Sequence, residues 1–243
     1  MNDTLPTPRV SVVVPVKNEA LNILPLVEEI EQACAALRPF EVIYVDDGST
    51  DATSEQVLAA RASRSWLRLV RHEASCGQSA AVRTGVLAAR APIIVTLDGD
   101  GQNDPAFIPK LVAALDDPAI ALAAGQRLGR KGASKRWQSR VANGVRGWVL
   151  KDGTRDTGCG LKAFRRDVYL SLPYFDALHR FMPALVKREG YRIAHVDVVD
   201  RPRHAGQSNY GLFDRLWVGI LDLAGVWWLI RRRRRVPVAQ EIV

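Results

Sequence analysis

Long apolar runs are missing from this chain of 243 residues. Its most apolar stretch, Leu216–Ile230, is fifteen residues with Asp222 inside it, short of the ~20 that a membrane-spanning helix needs. Cysteine is scarce as well. Cys34, Cys76 and Cys159 are odd in number and far apart, there is no CxxC pair, and the four histidines are scattered. That spacing indicates neither a disulfide framework nor a zinc site and fits a reducing cytoplasm. The opening MNDTLPTPRV has no apolar h-region and does not read as a signal peptide. No internal repeat and no low-complexity linker interrupts the sequence. Acidic residues are absent from Arg127 to Lys151, where Arg127, Arg130, Lys131, Lys135, Arg136, Arg140, Arg146 and Lys151 all occur. The net charge of +8 is therefore concentrated there and in Arg231 to Arg235, which reads as a local anion site and a basic end. Aromatics are not interleaved with these bases as a nucleic-acid groove would require, so a nucleic-acid-binding module is excluded.

What is present is an alternation. Val10–Val14, Val42–Val45, Leu67–Val70, Ile93–Leu97 and Ala119–Ala124 are apolar runs of strand length, with a further strand at Ile193–Val199. Between them Leu24–Leu37, Thr53–Ala62, Ser79–Ala89 and Phe107–Leu115 carry helical spacing or follow cap residues. Strands alternating with helices predict an α/β domain with a mainly parallel sheet flanked by helices. Its ligand should lie at the carboxyl ends of the strands.

Three polar segments follow apolar runs at such ends. Pro15-Val16-Lys17-Asn18-Glu19 closes the first strand and Asp46-Asp47-Gly48-Ser49-Thr50-Asp51 the second. Carboxylates placed there can accept from nucleobase N–H groups and ribose hydroxyls; the second segment reads equally as a turn followed by an N-cap. The fourth strand ends in Asp98-Gly99-Asp100-Gly101-Gln102. A hard divalent ion, Mg²⁺ or Mn²⁺, takes few protein oxygens and completes its shell with diphosphate and water, which a D-x-D turn provides. Gly99 and Gly101 allow close backbone approach. The bland alternative is a solvated turn.

In this order and spacing the three segments resemble the family 2 glycosyltransferases of GT-A (Rossmann-like) fold, in particular the branch of dolichyl-phosphate mannosyltransferases and bacterial undecaprenyl-phosphate glycosyltransferases. The resemblance extends from Val10 to about Ile230 through Gly125-Gln126-Arg127, Ser139 to Asn143, Asp156 to Gly160, Arg201-Pro202-Arg203 and Gly206 to Tyr210. It implies that Pro15, Lys17, Glu19, Val45 and Asp47 contact the nucleoside of a nucleotide-sugar donor. Asp98, Gly99 and Asp100 would take its diphosphate, with Asp98, Asp100 and Gln102 on the metal. Arg127, Lys135 and Ser139 would hold the acceptor phosphate, and Arg201 would close over the donor. Lys17 stands where an aromatic is common, and Asn209 where a lysine is frequent, with Arg203 or His204 as substitutes.

The implied reaction is inverting transfer of a sugar from a GDP- or UDP-sugar to a polyprenyl phosphate. Such an acceptor is already anionic and needs cations to place it, whereas a hydroxyl acceptor needs a general base. Asp156 is the residue held for that base, or for orienting the cations, and it reads equally as a loop cap. Cys159 reads as a small buried side chain. Residues 1–9 are expected to be a tail, 10–211 the catalytic domain, and 212–243 an interfacial amphipathic helix with a polybasic end. Trp217, Trp227 and Trp228 would lie at the cytoplasmic face of an anionic membrane. A second copy or a small membrane partner would cover the same apolar end.

Overall fold

Short runs of Val, Ile and Leu, too brief for helices and apolar on both sides, form the centre of a seven-stranded sheet. The computed structural model describes residues 7–128, 144, 146–154, 156–202 and 214–232. Strands β1 (Val10–Val16), β2 (Phe40–Asp46), β3 (Leu67–Arg71) and β4 (Ile93–Thr96) are mutually parallel, in the order β3-β2-β1-β4. Beyond β4 the order continues β6 (Lys162–Arg165), β5 (Ile120–Leu128), β7 (Arg192–Val199). β6 is antiparallel to both of its neighbours, and β7 is parallel to β5. Six strands thus point their carboxyl ends at one edge, and the reversed β6 brings its amino end there too.

Helices cover both faces. α1 (Ile23–Ala33) buries Ile23, Leu26, Val27 and Ile30, the i, i+3, i+4, i+7 stripe of an amphipathic helix. It shares one apolar cluster with α2 (Thr53–Arg61) and α4 (Ile108–Ala113). On the other face lie α3 (Gln78–Ala88), α5 (Arg166–Ser171), α6 (Leu178–Arg188) and α7 (Asp214–Arg231). At the amino-terminal edge, buried Glu41 accepts from Ser11 Oγ at 2.7 Å, Arg68 Nη1 at 2.7 Å and Arg90 Nε at 2.9 Å. Burial pushes its carboxyl up, but these bonds and the Arg90 N–H outweigh it and hold the pKa below the usual range.

Four elements depart from the expectations drawn from the sequence. β6 is four residues with lysine and arginine at its ends, too short and too charged to register as an apolar run. α5 is only six residues long, and α6, whose Leu178, Phe181, Met182, Leu185 and Val186 do recur at helical spacing, carries Pro183 inside it, which argues against a helix in the sequence. α7 matches the predicted position but lacks the expected division into one apolar and one polar face. Val226, fully buried, with Leu223 and Ile230 beside it, packs on the domain against α6. Ile220, Leu221, Trp227 and Trp228 remain exposed around the rest of its circumference. Among the described residues no helix is long and apolar enough to cross a membrane.

Candidate functional site

The loops after β1 and β2 mesh into one unit. Asn18 N donates to Ser49 Oγ at 2.9 Å, Thr50 N to Asn18 Oδ1 at 2.8 Å, and Glu19 N to Thr53 Oγ1 at 2.9 Å. Asp46 is wholly buried and fixes the turn, accepting from Ser49 N and Ser54 Oγ. Asp51 accepts from Thr53 N at 3.0 Å, in a turn just ahead of α2, whose N-cap position is Ala52. The turn reading of 46–51 therefore holds for Asp46 and Asp51, whereas the N-cap position falls to Ala52. Asp47 differs: it reaches across to the 72–77 segment, accepting from Ser75 Oγ at 2.7 Å, Cys76 N at 2.8 Å and Gly77 N at 2.9 Å, with His72 Nδ1 at 2.8 Å. Burial raises its pKa, but the bonds from Cys76 N, His72, Ser75 and Gly77 N prevail and keep it low and ionised. Gly48, at φ +70°, makes this approach possible, since a Cβ there would meet Ser75 N at 2.8 Å. Lys17 is exposed, and Pro15 and Glu19 are half-buried. The Val45 side chain is in the core, which leaves only its backbone for a ligand.

Asp98 and Asp100 follow β4 across the neighbouring strand. Asp98 N donates to Asn103 Oδ1 at 3.0 Å, Gln102 N to Asp100 Oδ1 at 3.1 Å, and Arg201 N to Gln102 O at 2.9 Å. Asn103 is bridged to Asp200, so the loop is stapled to the end of β7. Gly99 lies so close to β1 that a Cβ would sit 2.4 Å from Val16 Cγ1. Gly160, delivered by the reversed β6, leaves the space Asp98 occupies: a Cβ there would be 2.3 Å from Asp98 Oδ2. Burial and the neighbouring Asp100 push Asp98 up to about 6 against the pull of Lys162 and Arg127. Two neighbouring carboxylates, with Gln102 alongside, form an oxygen-only set that fits a hard divalent ion.

Arg127, at the end of β5, is only 10% exposed and is clasped. Its Nε and Nη2 donate to Asp156 at 2.5 and 2.8 Å, and its Nη1 reaches Asp200 at 3.3 Å. Arg201 is paired with Glu29 at 2.8 Å and Asp104 at 2.6 Å, locking the D-x-D loop to α1. The other expected acceptor residues, Lys135 and Ser139, lie outside the described residues, as do Arg203, His204 and Asn209. Cys159 is fully buried and its thiol is pushed up by burial, as expected of an inert side chain.

Sequence reasoning missed three residues here. Gln78 Nε2, at the start of α3, donates to Asp98 Oδ1 at 2.8 Å. Lys162, buried at the start of β6, donates to Cys159 O; burial lowers its pKa while the Cys159 and Asp98 charges oppose that. His179, on α6, meets Ser79 Oγ through Nδ1 at 2.7 Å and is held neutral, its pKa lowered to about 3 by burial and then by Lys162 and Arg180. All three line a narrow cleft with Pro15, Asp98 and Met182. A lysine set among Leu161, Ala163 and Phe164 was the one signal available. The fold also gathers Asp47, His72 and Cys76, whose ligand atoms lie within 4.8 Å of one another, a cluster the scattered sequence positions gave no reason to expect.

Residues 11–172 match the family described as glycosyl transferase family 2. A dodecaprenyl-phosphate galacturonate synthase of Rhizobium johnstonii is 35% identical over 241 residues, covering 96% of this chain and 71% of its own. An undecaprenyl-phosphate 4-deoxy-4-formamido-L-arabinose transferase of Pseudomonas paraeruginosa is 33% identical over 208 residues, covering 84% of this chain and 61% of its own. Among solved structures, glucosyl-3-phosphoglycerate synthase of Mycobacterium tuberculosis, in complex with Mn²⁺, UDP-glucose and glycerol 3-phosphate, superposes with a TM-score of 0.69. It does so at 22% identity, over 92% of this chain and 80% of that one, a likeness of fold.

Proposed function

This chain belongs to glycosyl transferase family 2, and from that premise we propose that it moves a sugar, with inversion, from a UDP- or GDP-sugar to a polyprenyl phosphate at the cytoplasmic face of a membrane. In this reading Pro15, Lys17, Glu19, the backbone at Val45, and Asp47 hold the nucleoside, and Asp98, Gly99 and Asp100 face the diphosphate. Asp98, Asp100 and Gln102 would hold Mg²⁺ or Mn²⁺, which when bound supplies neutralisation of charge on the departing nucleoside diphosphate. Arg201, poised on Glu29 and Asp104 beside that loop, adds a second positive charge. Arg127, with Lys135 and Ser139, positions the acceptor.

The observation that carries the acceptor class is the clasp on Arg127. Both Asp156 oxygens are spent on the guanidinium, so the carboxylate orients a cation rather than standing ready as a general base. A cation held this way suits an acceptor that arrives ionised and needs placing; a sugar or protein hydroxyl would need the base that Asp156 does not offer. The named activities of the two relatives, both on polyprenyl phosphates, support the same choice.

Residues 10–211 form the catalytic unit in this reading, and 212–243 the segment that meets the membrane. Its support is the outward face of α7, where Ile220, Leu221, Trp227 and Trp228 are exposed. Arg231 and Arg232 lie over the Trp227 and Trp228 rings at 3.9 and 5.3 Å. Apolar rings backed by arginines suit an anionic headgroup layer. A second copy or a small membrane protein is the other occupant that such a face accommodates.

The deciding experiment is a transfer assay with a panel of UDP- and GDP-sugars and a short polyprenyl phosphate, with Mn²⁺ or Mg²⁺ and with chelator. Sugar-lipid that disappears with chelator is the expected result and names the donor. Donor consumption with transfer only to hydroxyl acceptors would overturn the acceptor assignment.

A further inference from the structure

Asp47, His72 and Cys76 come together from two loops: Asp47 stands just after β2, and His72 and Cys76 lie on the connection from β3 to α3. One carboxylate oxygen, one imidazole nitrogen and one sulfur within 4.8 Å of one another are a different donor set from Asp98 and Asp100. Thiolate and imidazole favour zinc-like ions, whereas all-oxygen turns favour Mg²⁺ or Mn²⁺. We propose that Asp47, His72 and Cys76 form a second metal site, specific for a borderline-soft divalent cation of the zinc type and separate from the D-x-D turn.

The local geometry meets the requirements of such a site. His72 points Nδ1 at Asp47 Oδ1, 2.8 Å away, and its other nitrogen, Nε2, meets Thr84 Oγ1 at 2.9 Å. A metal-bound histidine typically carries such an outer hydrogen bond, which fixes its ring and tautomer. Two N/O ligands of a tetrahedral zinc sit about 3.3 Å apart, so the ion takes the place of the hydrogen between His72 and Asp47 with a separation about half an ångström wider. Asp47 is ionised already and is held in place by Ser75 Oγ and two backbone N–H groups. Cys76 is exposed, so its sulfur can turn inward from its contact with Ala74 O and the fourth position stays open to water. Binding releases the thiol proton to solvent. Three protein ligands and one open position are the arrangement of an accessible zinc site rather than a closed structural one.

The consequence rests on the donor reading above. Asp47 is a nucleoside contact there, so an ion on Asp47 excludes the donor: zinc-type cations inhibit by competing with the nucleotide. The D-x-D carboxylates lie two strands away, about 9–10 Å, and are left to their own ion.

The test uses the metal-free full chain and Co²⁺ as a coloured stand-in for Zn²⁺. One equivalent should give a thiolate-to-cobalt charge-transfer band, erased by Zn²⁺ and not by excess Mg²⁺; Cys34 and Cys159 are buried, so the band reports Cys76. Cys76→Ser should lose the band, and His72→Ala should weaken Zn²⁺ binding about tenfold or more. Absence of the band in the wild-type chain, or equal Zn²⁺ affinity in Cys76→Ser, overturns the site. UDP binding measured with and without Zn²⁺ separates the two readings. Competition in the wild type that vanishes in Cys76→Ser supports both, whereas a thiolate band with independent UDP binding supports the metal site and removes Asp47 from the nucleoside contacts.

Discussion

Adjacent aspartates at the end of β2 have unlike employment, because one side chain turns into the loop it closes and its neighbour turns across to the next crossover. The same division separates Asp98 from Asp100. Asp98 is held by Gln78 beside Gly160, while Asp100 is nearly buried and accepts from Gln102 N. Asp100→Asn keeps an oxygen for that bond and loses the charge. Its expected outcome is a fall in transfer rate on the order of 10²-fold or more with an unchanged melting curve; full metal-dependent turnover in this variant would remove Asp100 from the metal set. His179 gives a pH prediction. Its pKa is about 3 in the folded chain against 6.5 in the unfolded one, so the unfolded chain alone takes up its proton as pH falls below 6.5. The stability of the neutral ring is thus complete above that value and drains away toward pH 3. Urea midpoints of His179→Gln should fall less between pH 7 and pH 4 than those of the wild-type chain.

β6 and α7 decide more than their lengths suggest. By running against its neighbours, β6 brings Gly160 and Lys162 under Asp98. Gly160→Ala puts a methyl where the Asp98 carboxylate lies. The sheet should survive, since the clash is with one movable side chain, but Mn²⁺ affinity read by calorimetry should drop about tenfold or more. α7 has two apolar stripes, one packed on the domain and one exposed. Leu221→Glu alters the outward stripe and is expected to leave the melting temperature in place while weakening sedimentation with anionic vesicles. Val226→Glu buries a charge against α6 and should cost several kcal/mol, seen as a lowered urea midpoint. Removing the whole helix would mix the two effects, because it also uncovers the apolar cluster beneath.

Across the whole molecule the sheet separates its duties by edge. The amino-terminal edge holds Glu41 with Ser11, Arg68 and Arg90, far from the carboxyl-terminal edge where the described candidate site residues gather. Glu41→Gln should therefore lower stability by about 1–3 kcal/mol, judged by urea unfolding, and leave kcat of the folded fraction unchanged. Its carboxyl is held below the usual range, so the stability it contributes is present at neutral pH and is lost as pH falls through that depressed value. The variant should show a shallower acid dependence.

Strand runs, the helix stripe of α1 and the placement of carboxylates after β1, β2 and β4 were legible in the sequence by itself, because each depends on residues close together in the chain. So was the family, through the order of those segments. Tertiary structure alone decided which polar residues work together. The clasp of Arg127 by Asp156 and Asp200, the Ser79–His179 pair one hundred positions apart, and the meeting of Asp47, His72 and Cys76 are contacts between distant segments. Local pattern carries no information about them; they follow from strand order and from the reversal of β6, which set which loops share an edge.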